Sequence, residues 1–402
     1  MNLVKLSFKN LISKPLNALL SLLLLVLSVA LVTFMLQLSA QVKGNLDKNI
    51  KPVDLVVGAK GSPLQLVLSS VLHIDAPTGN IKLIEAEKLK KSRLVKAAVP
   101  VSYGDNYKGV RILGTETSYL KLYNAELATG ELFSKSQQVV LGSETAKKLQ
   151  LKLGDTFLSS HGLADQNLEE HHGHPFKVVG ILKPSGSVVD NLIITNLESI
   201  WDVHSHADEH SDDEHHHHEE DLEVTSLLIQ FSNPMAMMQL PRYINDKTNM
   251  QAALPSLEIN RLVKLLGVGV QTIQLIAIAI LLVSGLSIFI SLLKAIRERR
   301  QELAVLRTYG ATSAQLLWLV LLEGLFLGFI GYVIGWVIGR VGLWVISNYA
   351  QSSYGYTFNL ATPTKWEAIL LAATLGITVI ASVFASLSVF KLNVSKILSS
   401  EK

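Results

Sequence analysis

The sequence predicts a membrane protein with one span before a large α+β domain and three spans after it. Three observations predict this. Four apolar runs are each long enough to cross a bilayer, about 200 residues of mixed composition separate the first from the second, and basic residues gather on one side of the spans. Of the 402 residues, 49% are hydrophobic and 17% charged, which fits a membrane protein carrying a sizeable soluble domain.

A helical span takes about 20 residues. The apolar runs are Leu16–Leu38, Val268–Leu293, Leu316–Ile346 and Ala368–Phe390. The first, preceded by Lys5, Lys9 and Lys14 and followed by "LSA", has some traits of a signal peptide. Its apolar core exceeds the roughly 7–15 residues of such signals, so a retained anchor is expected. The connection after the second span carries Lys294, Arg297, Arg299, Arg300 and Arg307, and the tail carries Lys391, Lys396 and Lys402. The connection between the third and fourth spans has only Lys365. Both termini and the Arg-rich connection are therefore expected in the cytoplasm, and the large domain outside it. In a bacterium that means the inner membrane and the periplasm.

The expected division is a cytoplasmic amphipathic segment (1–15), first span and stalk (16–50), periplasmic α+β domain (51–254), and stalk and second span (255–294). A cytoplasmic connection (295–314), third span (315–347), outer loop (348–366), fourth span (367–390) and cytoplasmic tail (391–402) follow. In the outer domain, "DLVVGAK", "YKGVRILGT", "QQVVLGS", "PFKVVGIL", "NLIIT" and "TSLLIQF" read as strands. "SETAKKLQ" and "NLESIWD" read as short helices between them. From Leu16 to Ile50 there is no Pro and only Gly44, so one helix of about 52 Å is expected, ending at Pro52. The excess over a hydrocarbon core of about 30 Å projects as a stalk. Pro255 to Leu266 supplies a second stalk.

The connection "AIRERRQELAVLRTYGATSAQLL" is helical by composition until Gly310, with Thr312 or Ser313 placed to cap the third span. Leu303 and Leu306 share one face, with Ala304 beside it and Glu298, Arg299, Arg300, Glu302 and Arg307 around it. Such a helix suits docking into a groove on a cytoplasmic partner, whereas a plain positive-inside loop explains only the arginines.

"ERRQELAVLRTYGATSAQLL…LEG" resembles the coupling segment of the FtsX-like permeases, a family that includes MacB and LolC/LolE. Glu298, Arg299, Glu302, Leu303, Leu306, Arg307, Gly310 and Ala311 match its pattern. "QQVVLGSETAKKLQLKLGDTF" and "FKVVGILKPSG" look like the family's periplasmic core. The resemblance implies a MacB-like fold, a permease half of an ABC complex, a second permease copy, and a separate cytoplasmic ATPase that binds ATP and Mg2+. It also implies that the stalks transmit motion to the periplasm. The sequence agrees on the motor: it contains no G-x-x-x-x-G-K-[ST], and "GAKGS" has the wrong spacing and reads as a turn. Neither G-x-S-x-G nor H-E-x-x-H occurs, so no hydrolase motif is present and no catalytic residue is assigned. The charges are sorted along the chain, and no nucleic-acid partner is expected.

Gly324, Gly328, Gly331, Gly335 and Gly339 form a stripe on the third span that admits a closely packed helix. That helix belongs either to a second copy or to the same chain. Glu323 and Arg340 lie near the two ends of this span, where a structural role by snorkelling or pairing is expected.

Eleven of the twelve histidines lie in two groups. The first contains His161, His171, His172 and His174. The second, "VHSHADEHSDDEHHHHEEDLE", contains His204, His206, His210, His215, His216, His217 and His218 among nine carboxylates. With no cysteine in the chain, metal ligands must be His, Asp or Glu. Such tracts suit transition-metal binding, zinc foremost, without fixing a geometry. A solvated acidic loop or a pH-responsive segment is the competing reading of the second group. The functional expectation is an ABC permease moving or releasing a periplasmic substrate, linked to zinc or to a metal-binding periplasmic protein. The alternatives are release of lipoproteins or export of hydrophobic compounds, activation of a periplasmic hydrolase, and a metal sensor without a motor.

Overall fold

The computed structural model describes residues 15–159, 175–205, 222–354 and 363–390. They fall into two compact units: Lys43–Leu265, and Met1–Val42 with Leu266–Lys402. Among the described residues, four helices are long and apolar enough to cross a membrane, one N-terminal and three C-terminal.

The first helix, α1 (Pro15–Ile50), has 36 residues and stops before Pro52. A residue preceding proline is pushed out of the helical region, which explains the stop. Strands β1 (Leu55–Ala59), β2 (Ile81–Lys82), β3 (Val95–Tyr107), β4 (Val110–Thr115), β5 (Leu127–Gly130), β6 (Gln138–Leu141), β7 (Thr156–Phe157), β8 (Phe176–Leu182), β9 (Ile193–Thr195), β10 (Glu223–Val224), β11 (Ser226–Phe231) and β12 (Met250–Ala253) follow. Between them lie α2 (Pro63–Ser70), α3 (Leu83–Lys90), α4 (Ser118–Leu122), α5 (Ser143–Leu149), α6 (Leu197–Ser205) and α7 (Ala236–Lys247). The main sheet runs β12-β1-β11-β3-β4-β9-β6-β8-β5, with β7 beside β8, and β10 pairs β2 separately. Only β4–β9 and β6–β8 are parallel among its described pairs.

Alternation along the strands sorts the core into two faces, as the two-residue period of a strand requires. Val56, Val99, Val101, Leu113, Val140, Ile194 and Leu228 pack in one cluster. Their neighbours Leu55, Val57, Ala98, Leu227 and Ile229 pack in a second, with Leu240 and Ile244 of α7. Ile112, Val139, Leu141 and Ile193 pack in a third, with Ile200 and Val203 of α6.

The long helices of the other unit are α8 (Pro255–Glu298, 44 residues), α10 (Ser313–Tyr354, 42 residues) and α11 (Lys365–Phe390), with the short α9 (Arg300–Thr308) before α10. At 1.5 Å per residue, α8 is about 66 Å long, twice a hydrocarbon core of about 30 Å. Ser21 and Ser287 hydroxyls meet at 2.9 Å, and Ser28 Oγ donates to the Ala277 carbonyl at 3.2 Å, so α1 and α8 run antiparallel. The glycine stripe lies on helices of the same chain. A Cβ on Gly324 or Gly328 would strike Ser382 or Thr378 of α11. One on Gly331, Gly335 or Gly339 would strike Leu25, Val29 or Thr33 of α1. Of the two packings open to the stripe in sequence, the structure shows the one within the chain.

Candidate functional site

The connection between α8 and α10 is a helix–turn–helix with defined ends. The helix expected to run unbroken to Gly310 breaks at Arg299, whose backbone leaves the helical region (φ −101, ψ 16). The break accompanies a contact: Arg299 Nη1 lies 3.2 Å from Glu323 Oε1, with both side chains nearly buried. The intramembrane acid of α10 thus has an arginine partner, as its place near the span's end suggested. After α9 the backbone turns at Gly310 (φ +92), a conformation that a Cβ disfavours. Ala311 N–H donates to the Leu306 carbonyl and Gly310 N–H to that of Arg307, closing a Schellman turn. Thr312 then caps α10. Its Oγ1 accepts from Gln315 N–H at 3.3 Å while its own N–H donates to Gln315 Oε1 at 3.0 Å. Arg307 Nη2 donates to Ser313 Oγ at 2.6 Å, tying α9 to α10.

Part of the expected docking face packs inside the chain. Leu303 is 5% exposed and Ala304 fully buried, and Leu303 belongs to the same core as Ile296, Leu316 and Leu319, with Leu306 and Ala311 packed on it. Leu303 and Ala304 are therefore covered by the chain's own helices and Leu306 is half-buried, because short α9 folds back on them after the break at Arg299. The outward stripe of α9 is Glu302, Val305 and Tyr309, spaced three and four, with Tyr309 85% exposed, and Glu298, the last residue of α8 before the break, is exposed as well. Arg300 is also exposed. Beside α9 lies a cavity of about 490 Å³ bounded by Ile296, Leu303, Leu306, Val320, Tyr309 and Glu323.

In the soluble unit, the ends of the two stalk helices enter one core. Leu46 and Ile50 of α1, and Ile259, Leu262 and Val263 of α8, pack in the cluster under β1, β11, β3 and β4. Asn49 ties α1 to the loops: its Oδ1 accepts from Val188 N–H at 2.9 Å and its carbonyl from Tyr123 Oη at 3.4 Å. Tyr123 packs at 5.1 Å on Tyr119. The Tyr119 and Tyr103 hydroxyls meet the two ring nitrogens of His73 at 2.8 and 2.7 Å. His73, the histidine outside the two groups, lies at φ +55. Burial, reinforced by the charge of Arg111, lowers its pKa from 6.5 to about 3, so the ring is neutral. Burial also raises the phenols of Tyr103, Tyr119 and Tyr123.

In the membrane unit a polar cluster surrounds Glu367, which is 1% exposed. Its carboxylate accepts from Gln37 Nε2, and from Trp336 Nε1 at 2.7 Å, with Arg340 Nη1 at 4.0 Å. Tyr332 Oη donates to the Glu367 carbonyl at 2.9 Å, and Arg340 lies 4.9 Å from the centre of the Trp336 ring. Sequence reasoning found Arg340 but passed over Glu367, which sits at the first turn of α11, outside the apolar run. Its lone carboxylate next to Trp366 was the available signal.

Of the proposed metal ligands, His161, His171, His172, His174, His206, His210 and His215 to His218 lie outside the described residues, and His204 falls in the last turn of α6. Among the described residues, no group of three or more His, Cys, Asp or Glu is placed to hold a metal ion.

The chain matches two family models: the MacB-like periplasmic core domain over residues 18–244, and the FtsX-like permease C-terminal domain over residues 275–394. It belongs to the FtsX/MacB/LolE family of ABC permeases, whose members are permease subunits. Among curated proteins it is 26% identical, over 292 residues, to the lipoprotein-releasing system transmembrane protein LolE of Haemophilus influenzae. The match takes in 67% of this chain and 66% of that relative, just under two thirds of its length. Solved structures with likeness include the periplasmic region of MacB from Actinobacillus actinomycetemcomitans, with a TM-score of 0.35 and 13% identity over 55% of this chain and 97% of that one. Another is the extracellular domain of the transporter YknZ from Gram-positive bacteria, with a TM-score of 0.31 and 14% identity over 49% and 98%.

Proposed function

We propose that this chain is the permease subunit of a dimeric ABC assembly in the bacterial inner membrane, with both termini cytoplasmic. A separate ATPase docks on the outward stripe Glu302, Val305 and Tyr309, together with Glu298 and Arg300. Closure of the ATPase moves α9, which is tied to the spans by Leu303 and by the Arg299–Glu323 pair. The spans pass that motion through α1 and α8 to a periplasmic domain that moves or releases a substrate. The observation that carries this reading is the shared cluster in which Leu46, Ile50, Ile259, Leu262 and Val263 end both long helices. Helices that end inside a packed core displace it, because cores are bistable rather than continuously deformable. Affinity purification of the chain from its native membrane tests the reading. An ATPase is expected to co-purify and to be lost on Glu302→Arg. If none does, or if the charge reversal leaves it bound, the proposal fails.

The cargo has two readings. The name of the Haemophilus relative points to release of lipoproteins, and the exposed apolar residues Leu275, Ile276, Leu282 and Leu286 of α8 offer an acylated substrate a surface. Zinc handling is supported by the histidine content of the two segments, whose roots meet in one cluster. Phe157 and Phe176 flank the first, Ile200 and Val203 precede the second, and all four share one cluster, on the sheet face opposite the helix ends. Deleting residues 206–221, which leaves the buried Val203 and the β10 residues Glu223 and Val224 in place, distinguishes the two. An unchanged response of cells to zinc removes the metal reading and leaves the lipid one.

A further inference from the structure

The cluster around Glu367 has a property that a static clasp does not require. Three polar residues of α1, Thr33, Gln37 and Gln41, succeed one another at intervals of four, about 6 Å of rise each. Gln37 is 1% exposed and its Nε2 binds Glu367. Thr33 Oγ1, Gln37 Oε1 and Gln41 Nε2 are buried without a hydrogen-bond partner among the described residues. A buried amide donor left unpaired in an apolar surrounding is costly, and a repeated donor one turn from its paired twin is an alternative partner for the same carboxylate.

The packing below the cluster repeats at the same interval. Leu25 faces Gly331, Val29 faces Gly335 and Thr33 faces Gly339. Movement of α1 by four residues toward its own N-terminus places Thr33 where Val29 packed and Val29 where Leu25 packed. Threonine and valine have the same shape, and the glycines present no side chain to block the passage. Glu367 is held from α10 by Trp336 and remains in place.

We propose that α1 has two registers against α10 and α11, one helical turn apart, in which Glu367 binds first Gln37 and then Gln41. One-turn displacements of packed helices past each other are an established form of two-state switching. The coupling of this step to nucleotide rests on the motor reading above. The two registers themselves do not.

The chain has no cysteine, so spin labels enter only at introduced positions. Leu23 of α1 and Val341 of α10 are 55% and 52% exposed and accept labels without disturbing the bundle. Pulsed electron resonance on the labelled full chain in nanodiscs, without any ATPase, reads their separation. Gln37→Leu removes the first partner and is expected to lengthen it by about 5 Å, close to one turn. Gln37→Leu with Gln41→Leu is expected to restore the shorter distance. No lengthening in Gln37→Leu, or lengthening that persists in the double variant, overturns the proposal and leaves the motor reading standing. With a co-purified ATPase and a non-hydrolysable ATP analogue, the unsubstituted helix is expected to show the same lengthening. If nucleotide has no effect while Gln37→Leu still does, the two registers stand and the coupling falls.

Discussion

Acidification is expected to loosen the soluble unit through one residue, His73. Its ring is enclosed by the Tyr103 and Tyr119 hydroxyls, with Arg111 stacked on Tyr103 at 5.0 Å and Tyr123 beyond Tyr119. Burial lowers its pKa from 6.5 in the unfolded chain to about 3 in the fold. Between those values the unfolded chain binds the extra proton. Stability therefore rises with pH across the window, is fully present above the unfolded value and is lost as pH falls toward the folded one. Taking those two pKa values, a drop from about pH 7.5 to about pH 5 costs about 2 kcal/mol. For a unit of this size that lowers the melting temperature by roughly 4–8 °C. The comparison is with His73→Asn, which accepts the left-handed backbone but does not titrate. It is less stable at neutral pH by about 1–3 kcal/mol, since the Tyr103 and Tyr119 hydroxyls each lose a hydrogen bond to the ring, while Tyr103 keeps the Ser69 carbonyl. Thermal unfolding of both full-length forms at the two pH values separates the His73 contribution from that of the surface carboxylates. If the variant loses as much on acidification as the parent, His73 does not carry the effect and the reasoning is wrong.

Other perturbations follow from the membrane unit. Arg299→Leu leaves Glu323 a buried charge without this partner and is expected to cost about 3–5 kcal/mol, much of it recovered in Arg299→Leu with Glu323→Leu, as read by thermal stability in detergent. Tyr309→Ala, on the outward stripe, is expected to change stability by no more than about 0.5 kcal/mol while weakening ATPase co-purification. Leu303→Asp is expected to destabilise the unit outright, because its side chain is in the core. Gly335→Leu places atoms where the Val26 carbonyl already lies 2.7 Å from a Cβ, so α1 is expected to separate from α10 and become accessible to proteolysis.

What was legible in the sequence was whatever has a local cause. The spans announce themselves by apolar length, the end of α1 by Pro52, and the turn after α9 by Gly310, which sits at the positive φ that glycine favours. The glycine stripe was visible as a stripe, but its partners on α1 and α11 depend on how three distant segments pack. The orientation of α9 depends on distant packing in the same way. An apolar face signals burial against something, and the sequence around Leu303 and Leu306 does not say whether that is a partner or the chain's own spans. The break at Arg299 decides it, and neither glycine nor proline marks that position. Glu367 has no local signature, because its partners Gln37 and Trp336 come from distant helices. The role of His73 is likewise non-local, since its partners Tyr103 and Tyr119 come from separate elements of the sheet domain.

The joint burial of both helix ends also bears on modular exchange. A graft cut at Pro52 and Leu254, where strand-bearing sequence begins and ends, would strip Leu46, Ile50, Ile259, Leu262 and Val263 from beneath the sheet. A chimera that keeps this head intact must borrow the last turns of both parent helices along with it.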